Sequence, residues 1–429
     1  MIRLPFYGTL AFGLAALLLS TWPTSGAQAA SSLHIFPQTF KGMGDIALLY
    51  GNDGIDGGNL YTLTNSLPGA PSPSARFVQG HALSATFSGD GKWLMVMTVA
   101  NNQLEWSLVA ADGSKKEKLG ASVYAGAFTP TGHTYYYSTD NGAFYRVTPP
   151  DSPQLVPLKL QKNSRISGIS FYSGSLAAVT VTANDNQFAQ ARAYDEIALW
   201  HTGSRHPLLL FRAKAPNGLV MGPWLNAHEF FYWTDPDHSA SIMADGLPLY
   251  LYNLSGRSRQ VARTYAESSS VLPVSATSAL LWENGYRYYY LGVQNGLMDW
   301  PNGFIPIPAH QLALFPALSP NRATIAFVDG PKWPSDQFNA PGAIRNWFSQ
   351  LRLATVSLPG GRVHILESAG SDVSTPAFDP TGKRIVYSQG NQAAWVFANG
   401  TGVRHVFASA PPSPALNSLQ IASYLQLPR

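Results

Sequence analysis

Apolar residues in this 429-residue chain come in short runs of alternating or consecutive positions, and Gly, Pro, Asn or Asp cuts off nearly every run. No long stripe of 3.6-residue period interrupts the rhythm, so the pattern predicts short strands joined by tight turns and an all-β fold. Clear examples are Ile46-Ala47-Leu48-Leu49-Tyr50, Leu176-Ala177-Ala178-Val179, Glu229-Phe230-Phe231-Tyr232-Trp233 and Ala279-Leu280-Leu281-Trp282.

One phrase recurs within this pattern: Thr86-Phe87-Ser88-Gly89-Asp90-Gly91-Lys92-Trp93-Leu94, Ala127-Phe128-Thr129-Pro130-Thr131-Gly132-His133-Thr134-Tyr135, Ala317-Leu318-Ser319-Pro320-Asn321-Arg322-Ala323-Thr324-Ile325 and Ala377-Phe378-Asp379-Pro380-Thr381-Gly382-Lys383-Arg384-Ile385. Each copy reads as strand end, tight turn, strand start. Gly, Asn and Asp accept the positive φ such a turn needs, and Pro presets its first corner. Repetition about every 40 residues marks stacked units, and a four-stranded antiparallel unit of that length is a propeller blade. Eight units can be laid out over residues 31–409, in a β-propeller that would have seven blades if the first and last units shared one. Residues 411–429, opening on Pro411-Pro412-Ser413-Pro414, read as a Pro-rich segment and tail.

Asp379-Pro380-Thr381-Gly382-Lys383-Arg384-Ile385-Val386-Tyr387-Ser388 is the fullest copy of the phrase. It resembles the WD40-like repeat of the TolB-type β-propellers, and Ser88-Gly89-Asp90-Gly91-Lys92-Trp93-Leu94 resembles it next best. Asn321-Arg322-Ala323 lacks the turn glycine, and units four to six lack the phrase altogether. The resemblance implies one propeller domain over residues 31–410 and says little about function.

The N-terminus reads as an address. Arg3 supplies a basic region, residues 10–19 an apolar stretch too short to span a bilayer, and Ala27-Gln28-Ala29 a small-residue cleavage site. Residues 1–29 are therefore expected to be a cleavable secretion signal, with the mature chain periplasmic, secreted or at the cell surface. The chain has no cysteine, so neither disulfides nor thiol chemistry is available. Charged residues are only 12% of the chain and the net charge is +4, a small, dispersed excess that gives no footprint for nucleic acid.

Catalytic signatures are missing. There is no Gly-x-Ser-x-Gly elbow, and too few residues follow unit eight for a hydrolase domain. His228-Glu229 lacks the second histidine of a zinc helix and stands at the head of an aromatic strand. The oxygen-rich turns at residues 52–59 and 235–238 carry ligands that suit calcium, without the spacing or terminal Glu of an EF-hand. No cofactor is otherwise expected.

Extra length is concentrated between the second and third strands of units four (183–196), five (234–247) and seven (329–350). Insertions at equivalent places mark a face in use. These loops carry Phe188, Arg192, Tyr194, Asp195, Asp235, Asp237, His238, Asp245, Trp333, Asp336, Arg345 and Trp347, aromatic and charged types enriched at binding hot spots. The competing expectation for Trp333 and Trp347 is a satellite core that holds the insert down. Tyr286 to Tyr290 are expected in the blade core. The function expected is an exported binding or scaffold module that engages a protein, peptide or cell-wall glycan. An enzyme acting on polysaccharide, with His238, Arg192, Asp195 and Arg345 converging at the channel mouth, is the alternative, and a structural envelope component is a third.

Overall fold

The computed structural model describes residues 33–40, 43–51, 57–64, 75–100, 103–120, 123–183, 194–213, 217–236, 246–266, 268–282, 296–308, 311–331, 342–411 and 419–425. The expected leader lies outside them. Among the described residues the fold is all-β, as the periodicity predicts, with 62% strand and two short α-helices.

In chain order come β1 (His34–Ile35), the one-turn helix α1 (Pro37–Phe40), β2 (Asp45–Tyr50), β3 (Gly58–Leu63), β4 (Ala75–Phe87), β5 (Trp93–Ala100), β6 (Gln103–Ala110) and β7 (Lys116–Gly120). Next are β8 to β11 (Val123–Phe128, Tyr135–Thr139, Phe144–Val147, Gln154–Leu155) and β12 to β15 (Ser164–Ser173, Leu176–Ala183, Tyr194–His201, Leu208–Arg212). Then come β16 to β19 (Gly218–Asn226, Glu229–Asp235, Leu247–Asn253, Arg257–Thr264) and β20 to β23 (Val271–Pro273, Ala279–Trp282, Leu297–Trp300, Gly303–Phe304). The last are β24 to β27 (Gln311–Leu318, Thr324–Pro331, Arg352–Ser357, His364–Ile365), with helix α2 (Ala343–Phe348) between β25 and β26, then β28 to β31 (Val373–Phe378, Arg384–Gln389, Gln392–Phe397, His405–Ser409) and β32 (Leu419–Leu425).

Hydrogen bonding groups these strands into seven antiparallel sheets. Five have four strands in sequence order. One has five, in the order β1-β31-β30-β29-β28, and one has seven, β32-β2-β3-β4-β5-β6-β7. The seven-stranded sheet is a folded pair. The first part of β4 pairs with β3 and the second with β5, the two ladders meeting at Ala82, opposite both Gly58 and Thr98, and the preceding His81 takes φ 54°. Ala47, Leu49 and Leu60 of one half then pack face to face with Ala85, Phe87, Leu94 and Val96 of the other. One half of that sheet is thus β32, β2, β3 and the first part of β4, and the five-stranded sheet is β28 to β31 with β1 added at its edge. Residues expected as a tail supply β32, which lies antiparallel to β2 with Leu48 opposite Ile421.

Two compact units emerge from the contacts. One comprises Glu117–Phe304 with Ser88–Asp90 and holds the four sheets from β8 to β23. The other comprises the described parts of Thr9–Phe87, Gly91–Lys116 and Ile305–Arg429, and so joins the beginning of the chain to its end. Within each unit the core lies between successive sheets. Tyr136 and Phe144 pack on Val179, Val181 and Trp200 of the next sheet; that sheet's Ala178 and Ile197 pack on Met221, Phe230 and Tyr232. Middle strands are consequently buried on both faces, as in β13 and β29, whereas outer strands such as β7 and β19 are mostly exposed.

The repeated phrase does more than close hairpins. In the first unit, a Cβ on Gly89 would come 2.3 Å from the Pro130 carbonyl oxygen, and the Asp90 N–H donates to the Gly132 carbonyl at 3.2 Å. His133 Nδ1 lies 2.7 Å from Asp90 Oδ2. In the second unit, Gly382 faces Pro320 in the same way, at 3.3 Å. Successive turns thus stack on one another, which is why small residues and proline recur there.

Candidate functional site

The connection between the second and third strands of a repeat is short in the second, third and eighth repeats. It spans residues 184–193 in the fourth, 236–246 in the fifth, 283–296 in the sixth and 332–351 in the seventh. The sixth joins the three expected from sequence, and Tyr286 to Tyr290, expected in the core, fall in that connection and outside the described residues. Phe188, Arg192, Asp237, His238, Asp245, Trp333 and Asp336 also lie outside them.

Tyr194, Asp195, Asp235, Arg345 and Trp347 are described. Asp195 is 5% exposed. Its Oδ1 accepts from the Thr182 hydroxyl at 2.7 Å and its Oδ2 from the Leu219 backbone N–H at 2.8 Å, so it ties β13 and β14 to β16. Beside it, the Tyr194 ring lies under the Arg212 guanidinium at 3.9 Å, and its hydroxyl donates to Gln161. Arg212 Nε donates to Glu196 Oε1 at 2.8 Å, and that bond is the main cause holding the guanidinium pKa above its usual value. Asp235 is buried opposite Gly218 in the β16–β17 ladder. Trp347 on α2 is buried, its indole N–H donates to the Pro331 carbonyl at 2.9 Å, and its ring meets Phe348 edge-on. Arg345 is exposed on the same helix. The structure thus brings Tyr194 and Asp195 together, with Asp235 on the neighbouring sheet, and keeps the carboxylates in internal hydrogen bonds and ladders.

Between β15 and the β16–β18 sheet runs an open groove of about 420 Å³. Phe211 and Ala213 form one wall; Tyr232, Thr234 and Pro236 of β17 and the turn after it, with Pro248 and Tyr250 of β18, form the other, and Asn217 and Leu219 lie at its end. Tyr232 and Tyr250 stack at 5.3 Å with 20° between their planes, and Phe211 leans on Tyr232 at 5.0 Å. The Tyr232 hydroxyl lies 2.7 Å from Ser258 Oγ, and burial pushes its pKa up. Thr234 and Pro236 put one end of the groove at the stem of the connection through residues 237–245, Ala213 and Asn217 flank residues 214–216, and the backbone N–H groups of Ala213 and Leu219 donate to Asp195, at the stem of the connection through residues 184–193. Its described lining residues offer aromatic faces, prolines, a hydroxyl and an amide, which suit binding, and among them none carries a carboxylate, imidazole or amine. Sequence reasoning missed Phe211, Pro248 and Tyr250 because they sit inside regular strand patterns. Nothing in such a pattern tells an aromatic on the open part of an inter-sheet seam from one in its closed part.

A second polar cluster lies in the other unit. Asp329 is 1% exposed, and its Oδ2 accepts from Arg352 at 3.1 Å. Burial pushes its carboxyl pKa up and Arg352 offsets part of that. Ser371 bridges to Arg352, and the adjacent Asp372, at φ 61°, has its carboxyl pushed up to about 6 by burial. Among the described residues no three His, Asp or Glu side chains gather as a metal site, and Asp53, Asp56, Asp237 and His238 of the oxygen-rich turns lie outside them. No described helix is long and apolar enough to cross a membrane.

No protein-family model matches the chain, and no curated protein matches its sequence. Solved structures do match. Porphyromonas gingivalis dipeptidyl peptidase 4 aligns over 88% of this chain and 59% of its own, at 8% identity and a TM-score of 0.52. TolB from Acinetobacter baumannii aligns over 89% and 67%, at 12% identity and 0.38. The β-propeller domain of the Trilobed protease from Pyrococcus furiosus, described as having an open velcro topology, aligns over 76% and 92%, at 11% and 0.42. At these identities the likeness bears on fold alone.

Proposed function

We propose that this chain is an exported eight-bladed β-propeller whose work is binding, and that the groove between β15 and the β16–β18 sheet holds part of an extended partner, a peptide or a cell-wall glycan. The blade count rests on dividing the seven-stranded sheet at Ala82 into two four-stranded blades that share β4, with β32 as a strand of the first. The observation that carries the binding reading is the position of an aromatic groove of about 420 Å³ at the stems of two long connections. Stacked tyrosines present flat apolar faces at little entropic cost, and the neighbouring amide and hydroxyl can fix orientation. Asp195, the best-placed described carboxylate for chemistry, is occupied by Thr182 and Leu219, and so favours binding over catalysis.

Isothermal titration of the full chain with peptidoglycan fragments and with a proline-containing peptide library tests this reading. Tyr250→Ala should lower affinity for the recognised ligand about thirtyfold, or about 2 kcal/mol, measured at a temperature where a melting curve shows the variant folded. Binding that survives Tyr250→Ala and Asn217→Ala together would remove the groove from the function.

A further inference from the structure

The outer strand of the fourth repeat breaks the rule that this chain hides its large apolar side chains. Leu208 is 64% exposed and Leu209 49% exposed on β15, the edge of its sheet. Leu155, on β11 at the edge of the preceding sheet, is 63% exposed. The segment leaving β11 runs to the β14–β15 hairpin, where the Lys159 N–H donates to the Arg205 carbonyl at 2.7 Å. Leu209 lies opposite Ala198 and Leu208 opposite Leu199 in the ladder, so the two leucines flank the β15 edge on its two faces, close in sequence to the hairpin that joins Arg205 to Lys159.

The charge there is one-sided. Residues 154–163 and 201–211 contain Lys159, Lys162 and Arg205 together with His201 and His206, and no Asp or Glu. In a chain with 28 Lys and Arg against 24 Asp and Glu, this is a local departure from a dispersed balance. Lys159, Lys162, Arg205 and His206 are all exposed.

We propose that this edge docks on the surface of an anionic lipid bilayer, with Leu208 and Leu209 entering the headgroup region and Lys159, Lys162 and Arg205 bound to lipid phosphates. Outward-pointing leucines flanked by cations match the layered chemistry of a bilayer, anionic headgroups over hydrocarbon. Two copies meeting through this edge would bring the same cations together, so self-association is opposed by charge. The groove proposed above is walled by Phe211, towards the other end of β15.

The absence of cysteine permits a single reporter. Full-length Leu209→Cys carries an environment-sensitive fluorophore, and Val403→Cys, equally apolar and 68% exposed in the wild type, serves as control. With vesicles of phosphatidylcholine and phosphatidylglycerol in equal parts, the Leu209 label should shift to the blue and brighten. With phosphatidylcholine alone, or at 0.5 M salt, it should not, and the Val403 label should stay unchanged throughout. Neutralising Lys159, Lys162 and Arg205 to Gln should weaken the response at least tenfold, since each cation near an anionic surface contributes roughly fivefold. A Leu209 label that stays unshifted on anionic vesicles, or a Val403 label that shifts equally, overturns the proposal. So does concentration-dependent dimerisation without vesicles that Leu208→Thr abolishes, because the edge then belongs to a second copy.

Discussion

Replacing Asp372 by Asn gives a stability change whose sign depends on pH. Asp372 follows the 3-10 turn Glu367–Ala369 in a left-handed conformation, φ 61°, which Asn adopts as readily as Asp. The two side chains are nearly isosteric, so the substitution removes the ionisation with little change of shape. Burial raises the carboxyl pKa from 3.8 to about 6, a displacement of about two units and hence at most about 3 kcal/mol. A raised acid pKa means the folded state binds the proton more tightly than the unfolded chain does. Below pH 4 the group is protonated in both states. As pH rises towards 6 the folded state must ionise a buried carboxyl, and stability falls; above 6 the loss is complete. Asp372→Asn should therefore stabilise the protein at pH 7 by up to about 3 kcal/mol and leave it unchanged at pH 3.5. Urea unfolding of both proteins at each pH measures the difference, and only the change in that difference matters, since other groups titrate in both. A variant that is destabilised at pH 7, or one whose advantage is the same at both pH values, would refute the desolvation argument.

Four further substitutions test the packing. Gly89→Ala places a methyl group against the Pro130 carbonyl and should cost about 1–3 kcal/mol in denaturant melts, whereas Ala at Gly132, which faces open space at φ 79°, should cost only the left-handed penalty of about 1–2 kcal/mol. Trp347→Ala should lower stability by about 3 kcal/mol or speed cleavage near α2, and leave ligand affinity within threefold, because the indole is buried against Pro331. Asp195→Ala strands the Leu219 N–H and leaves the Thr182 hydroxyl with Ser167 as its partner, and should cost about 1–3 kcal/mol by chemical unfolding.

Fold was legible in the sequence where local chemistry repeats. The turn phrase fixes hairpin ends in the second, third, seventh and eighth repeats, and the strand runs of the fourth to sixth appear where the period places them. β32 was less legible. Leu419-Gln420-Ile421-Ala422-Ser423-Tyr424-Leu425 alternates as a strand should, but the run stands after a proline cluster and pairs with β2, which is far away in sequence, and no local signal encodes such a partner. Candidate site residues were chosen by type and loop position, and neither reports burial. Asp195 therefore reads as an exposed hot spot, although it is a tie between sheets, and Trp347 reads either as a hot spot or as satellite core; its indole is buried against Pro331. Tyr250 has the opposite history: its strand pattern matches that of Leu249 and Leu251, which are buried, while it faces an open seam.

That asymmetry follows from how repeats of this kind divide their tasks. A middle strand must bury both faces, so substitutions along β13, β17 or β29 act on two inter-sheet cores at once and are constrained by volume. An outer strand has a neighbour on one side only, which is why β19 tolerates Arg257, Arg259 and Arg263 and β15 tolerates exposed Leu208 and Leu209. A connection between the second and third strands has still fewer obligations and can lengthen without disturbing a ladder, as in four successive repeats here. Recognition can be added at low cost in stability where these freedoms meet. The groove walled by Phe211 of an outer strand and Tyr250 of a third strand, and ending at the stems of two such connections, is a place where they do.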